Sequence, residues 1–287
     1  MLTTLMTDHK VRQFALLIFA LAAGSCAPLQ PPSATGPRAN EPPYPVIFKA
    51  DSHRKDSAVA AVNKLLPQSG VSPTTDLELQ PITSTIERLQ ASSNSPLYLP
   101  KVGAEPVMNE EETRESLRRF IKDWQQLIGA DPAKLSLVDR VDQPDGSKLA
   151  KYEQRAFRYP IRSNYGKLQI RFATDRRVLN ISSTCIPDAD RMQTALGAVS
   201  VRLKAEDAVK LLHDNDMTYS DAKGNKLTFR VPAGNEGNPA GLAIYILPSR
   251  TGPDALDFHL AWEIELNNAP IKTAYVDAVT GEILGGQ

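Results

Sequence analysis

The sequence is poor in cysteine and histidine, two side chains that commonly serve as nucleophiles, metal ligands and proton-transfer groups. Its 287 residues include two cysteines and the four histidines His9, His53, His213 and His259. No two histidines are four residues apart, so the chain has no H-E-x-x-H zinc motif. It also has no nucleophile elbow, Walker loop or dinucleotide fingerprint. We therefore predict that the protein is not an enzyme and holds neither a metal nor a cofactor.

The chain also has no excess charge of either sign, because its 33 lysines and arginines balance 33 aspartates and glutamates. Attraction to nucleic acid or to an anionic membrane surface needs a strong field of one sign. We therefore predict no nucleic-acid partner. Hydrophobic residues make up 41% of the sequence, which is enough for the core of one large domain or two ordinary ones.

The apolar run near the amino terminus, residues 14–23, is too short to span a bilayer as a stable helix. Lys10 and Arg12 precede it, and this order of basic and apolar residues is typical of an export signal. The run meets the sequence AGSC at residues 23–26. This sequence resembles a bacterial lipobox, where a signal peptidase cuts before a cysteine that becomes diacylated.

This order predicts a lipoprotein signal peptide over residues 1–25, with Cys26 as the lipid attachment site. Ordinary cleavage after Ala27 is the alternative, because the residues around Cys26 are small. Ala27 is not an aspartate, so no signal similar to the inner-membrane retention signal follows the cysteine. The predicted location is the bacterial cell envelope, with the protein lipid-anchored to a membrane, the outer one in a Gram-negative cell.

Residues 26–70 are predicted to be a disordered tether. The stretch 29–46 is rich in proline and small polar residues and has no apolar period, which is typical of an extended, solvated spacer. Signals are weak in the region that follows: a short helix is possible over 57–66, and short strands over 77–82 and 97–99.

No internal disulfide is expected, because Cys185 is the only thiol left once Cys26 is acylated. Cys185 could be a reactive nucleophile or a small buried apolar residue. Its setting in SSTCIPD favours the buried residue.

A helix is predicted over residues 109–129. Asn109 is a good N-cap, and the three glutamates after it stabilise the positive end of the helix dipole. Apolar residues, Trp124 among them, recur at spacings of three and four, and Gly129 provides a C-terminal stop. Three consecutive glutamates on a helix point in different directions, so they favour capping over a metal site. Trp124 is expected to anchor the helix to a sheet.

From residue 109 onward the chain has two halves, and each half is predicted to be one helix followed by antiparallel strands. The first half has strand-like runs over 149–159, 167–173 and 177–182; the second half has a helix over 205–214 and strands over 226–231, 242–247, 258–266, 272–277 and 282–284. A shift of 105 residues lays IRFATDRRVL (170–179) on YVDAVTGEIL (275–284), the final hairpin of each half. The pattern predicts an α+β fold built from a duplicated helix-on-sheet unit.

Two segments resemble parts of a known protease propeptide. LAWEIELNNAPIKTAYVDAVTGEIL (260–284) is similar to the PepSY module that closes the propeptides of thermolysin-like metalloproteases, and YEQRAFRYPIRSNYGKLQIRFATDRRVLNISSTCIPD (152–188) is similar to the fungalysin/thermolysin propeptide (FTP) motif. The helix at 112–135 lies where that motif expects one. The resemblance implies two helix-on-antiparallel-sheet, cystatin-like modules in tandem, FTP-like over 71–190 and PepSY-like over 200–287.

Three features depart from the family pattern. Arg176 stands where the family hairpin has glycine, as Gly281 does in the other half, and a positive φ there would cost arginine about 1 kcal/mol. Lys204 replaces the serine or threonine that usually caps the second helix. The catalytic domain that follows the propeptide in the proenzymes, with its zinc motif, is not matched.

Asp277 and Glu282 flank a Thr-Gly corner and suggest either a catalytic carboxylate pair or a structural turn. A catalytic pair would need a concave site and perturbed pKa values. We predict the turn, in which Asp277 accepts local backbone hydrogen bonds and Gly281 supplies a positive φ. His213 and His259 are interpreted as packed or surface residues.

The resemblance implies a non-catalytic lipoprotein that binds a separately encoded thermolysin-like metalloprotease and inhibits it or chaperones its folding. Gly285, Gly286 and Gln287 are predicted to contact this partner as a free tail, because unpaired strand edges are templates for binding. The lipid anchor would be the contact with the membrane. The alternative is a structural or adhesive module of the cell envelope with no protease partner.

Overall fold

The computed structural model describes residues 43–70, 76–90, 94–213, 215–220, 225–232, 237–267 and 269–287. The predicted signal peptide and Cys26 therefore lie outside the described residues. The helices in this part of the chain are α1 (Ser52–Gln68), α2 (Glu110–Asp123), α3 (Gln125–Ile128), α4 (Ala189–Gly197) and α5 (Ala205–Leu212), with a 3₁₀ turn at Pro132–Lys134.

The strands form two sheets, so the fold is α+β and mostly sheet. The strands of the first sheet are β2 (Asp76–Leu79), β3 (Ile86–Gln90), β4 (Leu97–Tyr98), β5 (Leu135–Asp142), β6 (Lys148–Gln154), β7 (Lys167–Phe172) and β8 (Arg177–Ser183). Those of the second are β1 (Val46–Lys49), β9 (Asp216–Ser220), β10 (Lys226–Arg230), β11 (Gly237–Pro248), β12 (Ala255–Leu266), β13 (Thr273–Asp277) and β14 (Ile283–Gly286).

The first sheet has the order β2-β3-β8-β7-β6-β5, with β4 also paired to β8, and every pairing is antiparallel. Alternate residues of its strands are buried, as in β7, where Leu168, Ile170 and Phe172 face the core. Helices α1, α2 and α3 supply the other side of this core.

Helix α2 begins at the predicted residue. The Asn109 side chain accepts the N–H of Glu112 at 2.9 Å, and the Glu112 carboxylate accepts the N–H of Asn109 at 2.8 Å, which completes a capping box. The predicted helix is broken at Trp124, between α2 and α3. Trp124 is only 3% exposed and stacks on Phe120, and Gly129 ends α3 with a left-handed conformation.

The second sheet has the order β1-β12-β13-β14-β9-β10 and is built around the long strand β12. One side of β12 pairs with β11. The other side pairs first with β1, through residues 255–258, and then with β13, through residues 261–265. The contact of β14 with β9 is the one parallel strand pairing described in this sheet, so the sheet is mostly antiparallel.

The predicted tether over 26–70 is wrong for residues 46–68. Strand β1 buries Val46 and Phe48 against β12, and α1 starts at an N-cap, Asp51, whose side chain accepts the N–H of His53. The helix then buries three small or apolar side chains in the first core: Ala58, Ala61 and Leu66. A four-residue strand after a proline-rich stretch and a helix with few large apolar residues give little local signal.

The two final hairpins are equivalent in local structure. Arg176 has φ 73° and Gly281, its match in the other half, has φ 77°. Each hairpin also has a register shift in its second strand, where Leu179 of β8 and Leu284 of β14 are skipped in the pairing. Arg176 therefore has the positive φ that is expected to cost arginine about 1 kcal/mol.

Several contacts join the two sheets within Asn40–Gln287, which forms one compact unit. Ile161 bridges to Ile244 on the outer edge of β11. The Gln154 amide of β6 donates to the carbonyl of Ile186 at 2.9 Å and accepts its N–H at 2.8 Å. Ile186 lies in the apolar cluster that contains Phe48 of β1, a strand of the second sheet. Side chains from the segment between β6 and β7, two strands of the first sheet, pack against this cluster.

Candidate functional site

The second sheet has a polar and aromatic face opposite its helices. Even-numbered residues of β12, such as Phe258 and Ile264, lie in the apolar clusters that include α4 and α5. The odd-numbered residues project from the opposite side, because successive side chains of a strand alternate. We call this side the outer face; it carries Asp257, His259, Ala261 and Glu263 of β12, Tyr245 of β11, and Tyr275 and Asp277 of β13.

Asp277 is the centre of the outer face and is 0% exposed. Its Oδ1 accepts the backbone N–H groups of Val279 and Thr280, both at 2.8 Å. Its Oδ2 accepts the Tyr44 hydroxyl at 2.8 Å and lies 2.7 Å from Nδ1 of His259. Both carboxylate oxygens therefore have partners, as a buried carboxylate requires.

These contacts set the ionisation of the cluster. Burial acts to raise the pKa of Asp277, but hydrogen bonds from His259, from the Thr280 and Val279 N–H groups and from Tyr44 outweigh it, so the pKa lies below its ordinary value. Burial and the neighbouring Asp277 charge raise the pKa of Tyr44. Tyr44 is therefore a neutral hydrogen-bond donor to a charged carboxylate at neutral pH.

Tyr44 connects the start of the described chain to the last hairpin. Its hydroxyl accepts the backbone N–H of Leu260 at 3.0 Å while it donates to Asp277. Its ring meets the edge of the His259 ring, with centroids 6.0 Å apart. Sequence reasoning missed this residue because it lies in the proline-rich stretch, where no local pattern predicts a partner more than 200 residues away.

Asp277 and Glu282 do not form a pair of facing carboxylates. Glu282 forms an ion pair with Arg250, whereas Asp277 is bonded within the turn and to Tyr44 and His259. Gly281 has the positive φ that was predicted for the corner, and its N–H donates to the Asp277 carbonyl at 2.9 Å. The geometry is that of a turn whose first residue accepts backbone hydrogen bonds.

The carboxy-terminal residues are not a free tail. Strand β14 lies between β13 and β9, with Gly285 opposite Tyr275 and Gly286 opposite both Ala274 and Tyr219. The carbonyl of Gln287 accepts the N–H groups of Lys272 and Thr273. The predicted mode of binding by Gly285, Gly286 and Gln287 is therefore wrong, because their backbone groups are used inside the sheet.

Two further contacts stabilise the outer face. The rings of Tyr245 and Tyr275 stack with centroids 4.5 Å apart, and a Cβ on Gly285 would lie 3.1 Å from the Tyr245 hydroxyl. Gly285 therefore leaves room for the Tyr245 hydroxyl close to the backbone of β14. Nε of Arg162 is 3.0 Å from both oxygens of Glu263, so the segment between β6 and β7 also reaches this face.

Cys185, His213 and His259 are the remaining residues considered as nucleophiles or ligands, and each of them contributes to the fold. Cys185 is fully buried, and burial raises its pKa to about 12, which opposes thiolate formation at neutral pH. His213 lies at the end of α5 and bridges to Val231, and His259 is packed against Asp277.

In the described ranges no cluster of three or more histidine, cysteine or acidic side chains is arranged to hold a metal ion. No helix in those ranges has the length and apolar character needed to cross a bilayer.

Comparisons with known proteins give a distant structural similarity. No protein-family model matches the chain, and no curated protein matches it. Among solved structures, the chain is similar to an uncharacterized protein from Eubacterium rectale, with 11% identity and a TM-score of 0.33 over 84% of this chain and 85% of the other. A similarity of this size carries no functional argument.

Proposed function

We propose that the protein is an exported, non-catalytic binding protein that inhibits, or assists the folding of, a separately encoded thermolysin-like metalloprotease. The observation that carries the proposal is the resemblance of segments 260–284 and 152–188 to propeptide modules, in a chain with no H-E-x-x-H motif. We further propose that the two sheets are tandem cystatin-like modules and that Cys26 anchors the protein to a membrane of the cell envelope.

The side-chain contacts support a structural role for the residues that carry the resemblance. Asp277 of the YVDAVTGEIL segment uses both carboxylate oxygens for internal bonds. Gln154 of the YEQ segment uses its amide to bind the backbone of Ile186. Residues that serve the fold in this way would make the propeptide-like scaffold, and its surface would make the contact with the protease.

The Trp262 side chain is a further structural element of the resembling segment. Its indole N–H donates to the carbonyl of Leu203 at 2.9 Å, just before the N-cap of α5. The tryptophan therefore ties the central strand β12 to the entry of the helix. Ala208 and Leu212 of helix α5 lie in the apolar cluster against which Trp262 packs. A helix therefore covers one side of the second sheet, as the proposal requires.

The proposal is tested with purified residues 27–287 and a thermolysin-like protease exported by the same cell. We expect stoichiometric inhibition of peptide hydrolysis, or a higher yield of active enzyme when the denatured protease is refolded with the protein present. The chain alone should not hydrolyse the peptide. A heat-unfolded sample of the same protein is the control for non-specific protection.

The outcome separates the two classes of function. If the folded protein neither inhibits nor assists any metalloprotease exported by that cell, the propeptide-like role fails and the structural or adhesive envelope module takes its place. Hydrolysis by the chain alone would contradict both of these functions.

A further inference from the structure

One buried carboxylate on the outer face lacks the hydrogen-bond partners that the buried carboxylate of Asp277 has. Asp257 is 6% exposed, and its Oδ1 is the one buried side-chain oxygen or nitrogen without a hydrogen-bond partner in the part of the chain that the structure describes. The two buried or half-buried carboxylates beside it are engaged, Asp277 by Tyr44 and His259 and Glu263 by Arg162.

The setting of Asp257 is unfavourable for a charge with no partner. It lies on β12 directly between Ile47 of β1 and Leu247 of β11, which are apolar. A buried carboxylate without a hydrogen-bond donor destabilises the fold, whereas asparagine or an apolar residue would cost less. An aspartate that destabilises the fold and has no hydrogen-bond partner inside the protein is expected where its carboxylate binds a group of another molecule.

The surroundings indicate the chemistry of that group. Ile47 is 38% exposed and Leu247 is partly exposed, so apolar surface flanks the carboxylate at the rim of the face. His259 lies two residues along the same strand, about 7 Å away, and Tyr245 is paired with it. A long side chain with methylene groups and a cationic tip matches apolar flanks around a buried carboxylate.

We propose that Asp257 anchors a binding site on the outer face for a lysine or arginine side chain of a partner protein. The methylene groups of that side chain pack on Ile47 and Leu247, and its charged tip donates to the Asp257 carboxylate. Because Oδ1 is buried, occupation requires a side chain beside Asp257 to move, and Ile47, its cross-strand partner on β1, is 38% exposed. The inference does not require that the partner be a protease.

The test compares two short peptides that differ in a single charge. An acetylated, amidated Ala-Thr-Arg-Thr-Ala peptide is titrated into residues 27–287, and the matched peptide has citrulline, a neutral isostere, in place of arginine. Binding is followed by NMR through the His259 imidazole and the Ile47 methyl resonances. We expect the arginine peptide to bind at least about tenfold more tightly than the citrulline peptide. Its guanidinium makes a charge-assisted hydrogen bond to a carboxylate oxygen that has no hydrogen-bond partner within the protein.

Two variants assign the effect to the carboxylate. Asp257→Asn is expected to remove the preference for arginine and to be at least as stable as the parent in urea. Asp254→Asn is the matched control, because Asp254 is exposed three residues earlier, and it should leave both binding and stability unchanged.

The inference is overturned if the parent protein does not distinguish the two peptides, a result that needs no variant. It is also overturned if Asp257→Asn keeps the arginine preference. A clear loss of stability in Asp257→Asn without any peptide discrimination by the parent would show that the carboxylate serves the fold alone.

Discussion

His259 and Asp277 form a buried pair, with Nδ1 of the imidazole 2.7 Å from Oδ2 of the carboxylate. The same oxygen accepts the Tyr44 hydroxyl, so one carboxylate holds together the central strand, the last hairpin and the segment before β1. These three parts are distant in the sequence, which makes Asp277 a sensitive point for the stability of the second sheet.

Replacement of Asp277 by alanine is expected to lower the free energy of unfolding by about 3 to 5 kcal/mol, because it leaves two turn N–H groups, the Tyr44 hydroxyl and the His259 imidazole without their acceptor. Urea denaturation measures the change. Glu282→Ala is the matched control, since its exposed ion pair with Arg250 should contribute about 1 kcal/mol or less. Equal losses in the two variants would contradict the assignment.

The contribution of Asp277 depends on pH in a defined direction. Its folded-state pKa lies below the ordinary value of 3.8, so its stabilisation is fully present above that value and is lost as the pH falls through the lower, folded-state pKa. The difference in unfolding free energy between the parent and Asp277→Asn should therefore shrink between about pH 7 and about pH 2. Urea titrations at both pH values test this, and a difference that grows on acidification would show the opposite sign.

Trp124→Ala is expected to cost about 3 to 5 kcal/mol, because the indole is 3% exposed, stacks on Phe120 and belongs to the first core. Val107→Ala serves as a control, since Val107 is 70% exposed and its truncation should change stability by about 0.5 kcal/mol or less. The measurement is the urea midpoint with the m-value. A Trp124→Ala midpoint that matches the parent would mean that the indole is not packed in the core.

Gly281→Ala is expected to cost about 1 to 2 kcal/mol, because Gly281 has φ 77° and the new Cβ would lie 3.2 Å from Cδ1 of Leu211. Gly252→Ala is the matched control, because a Cβ there meets nothing within 4 Å and its φ is not in the left-handed region. Thermal denaturation of both variants measures the contrast. The prediction fails if Gly281→Ala is as stable as Gly252→Ala.

Cys26→Ser is expected to move the mature protein from the membrane fraction to the soluble fraction of the cell and to alter its mass. A single acyl chain gives only weak membrane binding, so the several chains of a lipoprotein cysteine account for stable anchoring. Fractionation and intact-mass measurement test this prediction. A variant that stays membrane-bound with an unchanged mass would favour ordinary cleavage after Ala27.

Local features of the fold were predictable from the sequence because each depends on residues a few positions apart. The capping box at Asn109, the stop at Gly129 and the left-handed corners at Arg176 and Gly281 all follow from short-range hydrogen bonds and backbone sterics. The same holds for Asp277 as a turn acceptor, since its Oδ1 partners are two and three residues away.

The candidate site was predicted only in part, for the same reason. Sequence patterns placed Asp277 in a turn and His259 in a strand, but they did not indicate that the two side chains meet or that Tyr44 joins them. Asp257 has no local signal at all, because its burial depends on which strands lie on either side of β12.

The sequence by itself determined which segments have helical or strand periodicity and where the turns at Gly129 and Gly281 lie, and it contains no zinc motif. The tertiary structure alone decided that β1 pairs with β12, that Tyr44 bonds Asp277 over a separation of 233 residues, and that β14 lies inside the sheet instead of at its edge. Local propensity sets which segments become strands, but pairing between distant strands depends on the packing of the whole core, so it leaves no pattern in any one stretch of the chain.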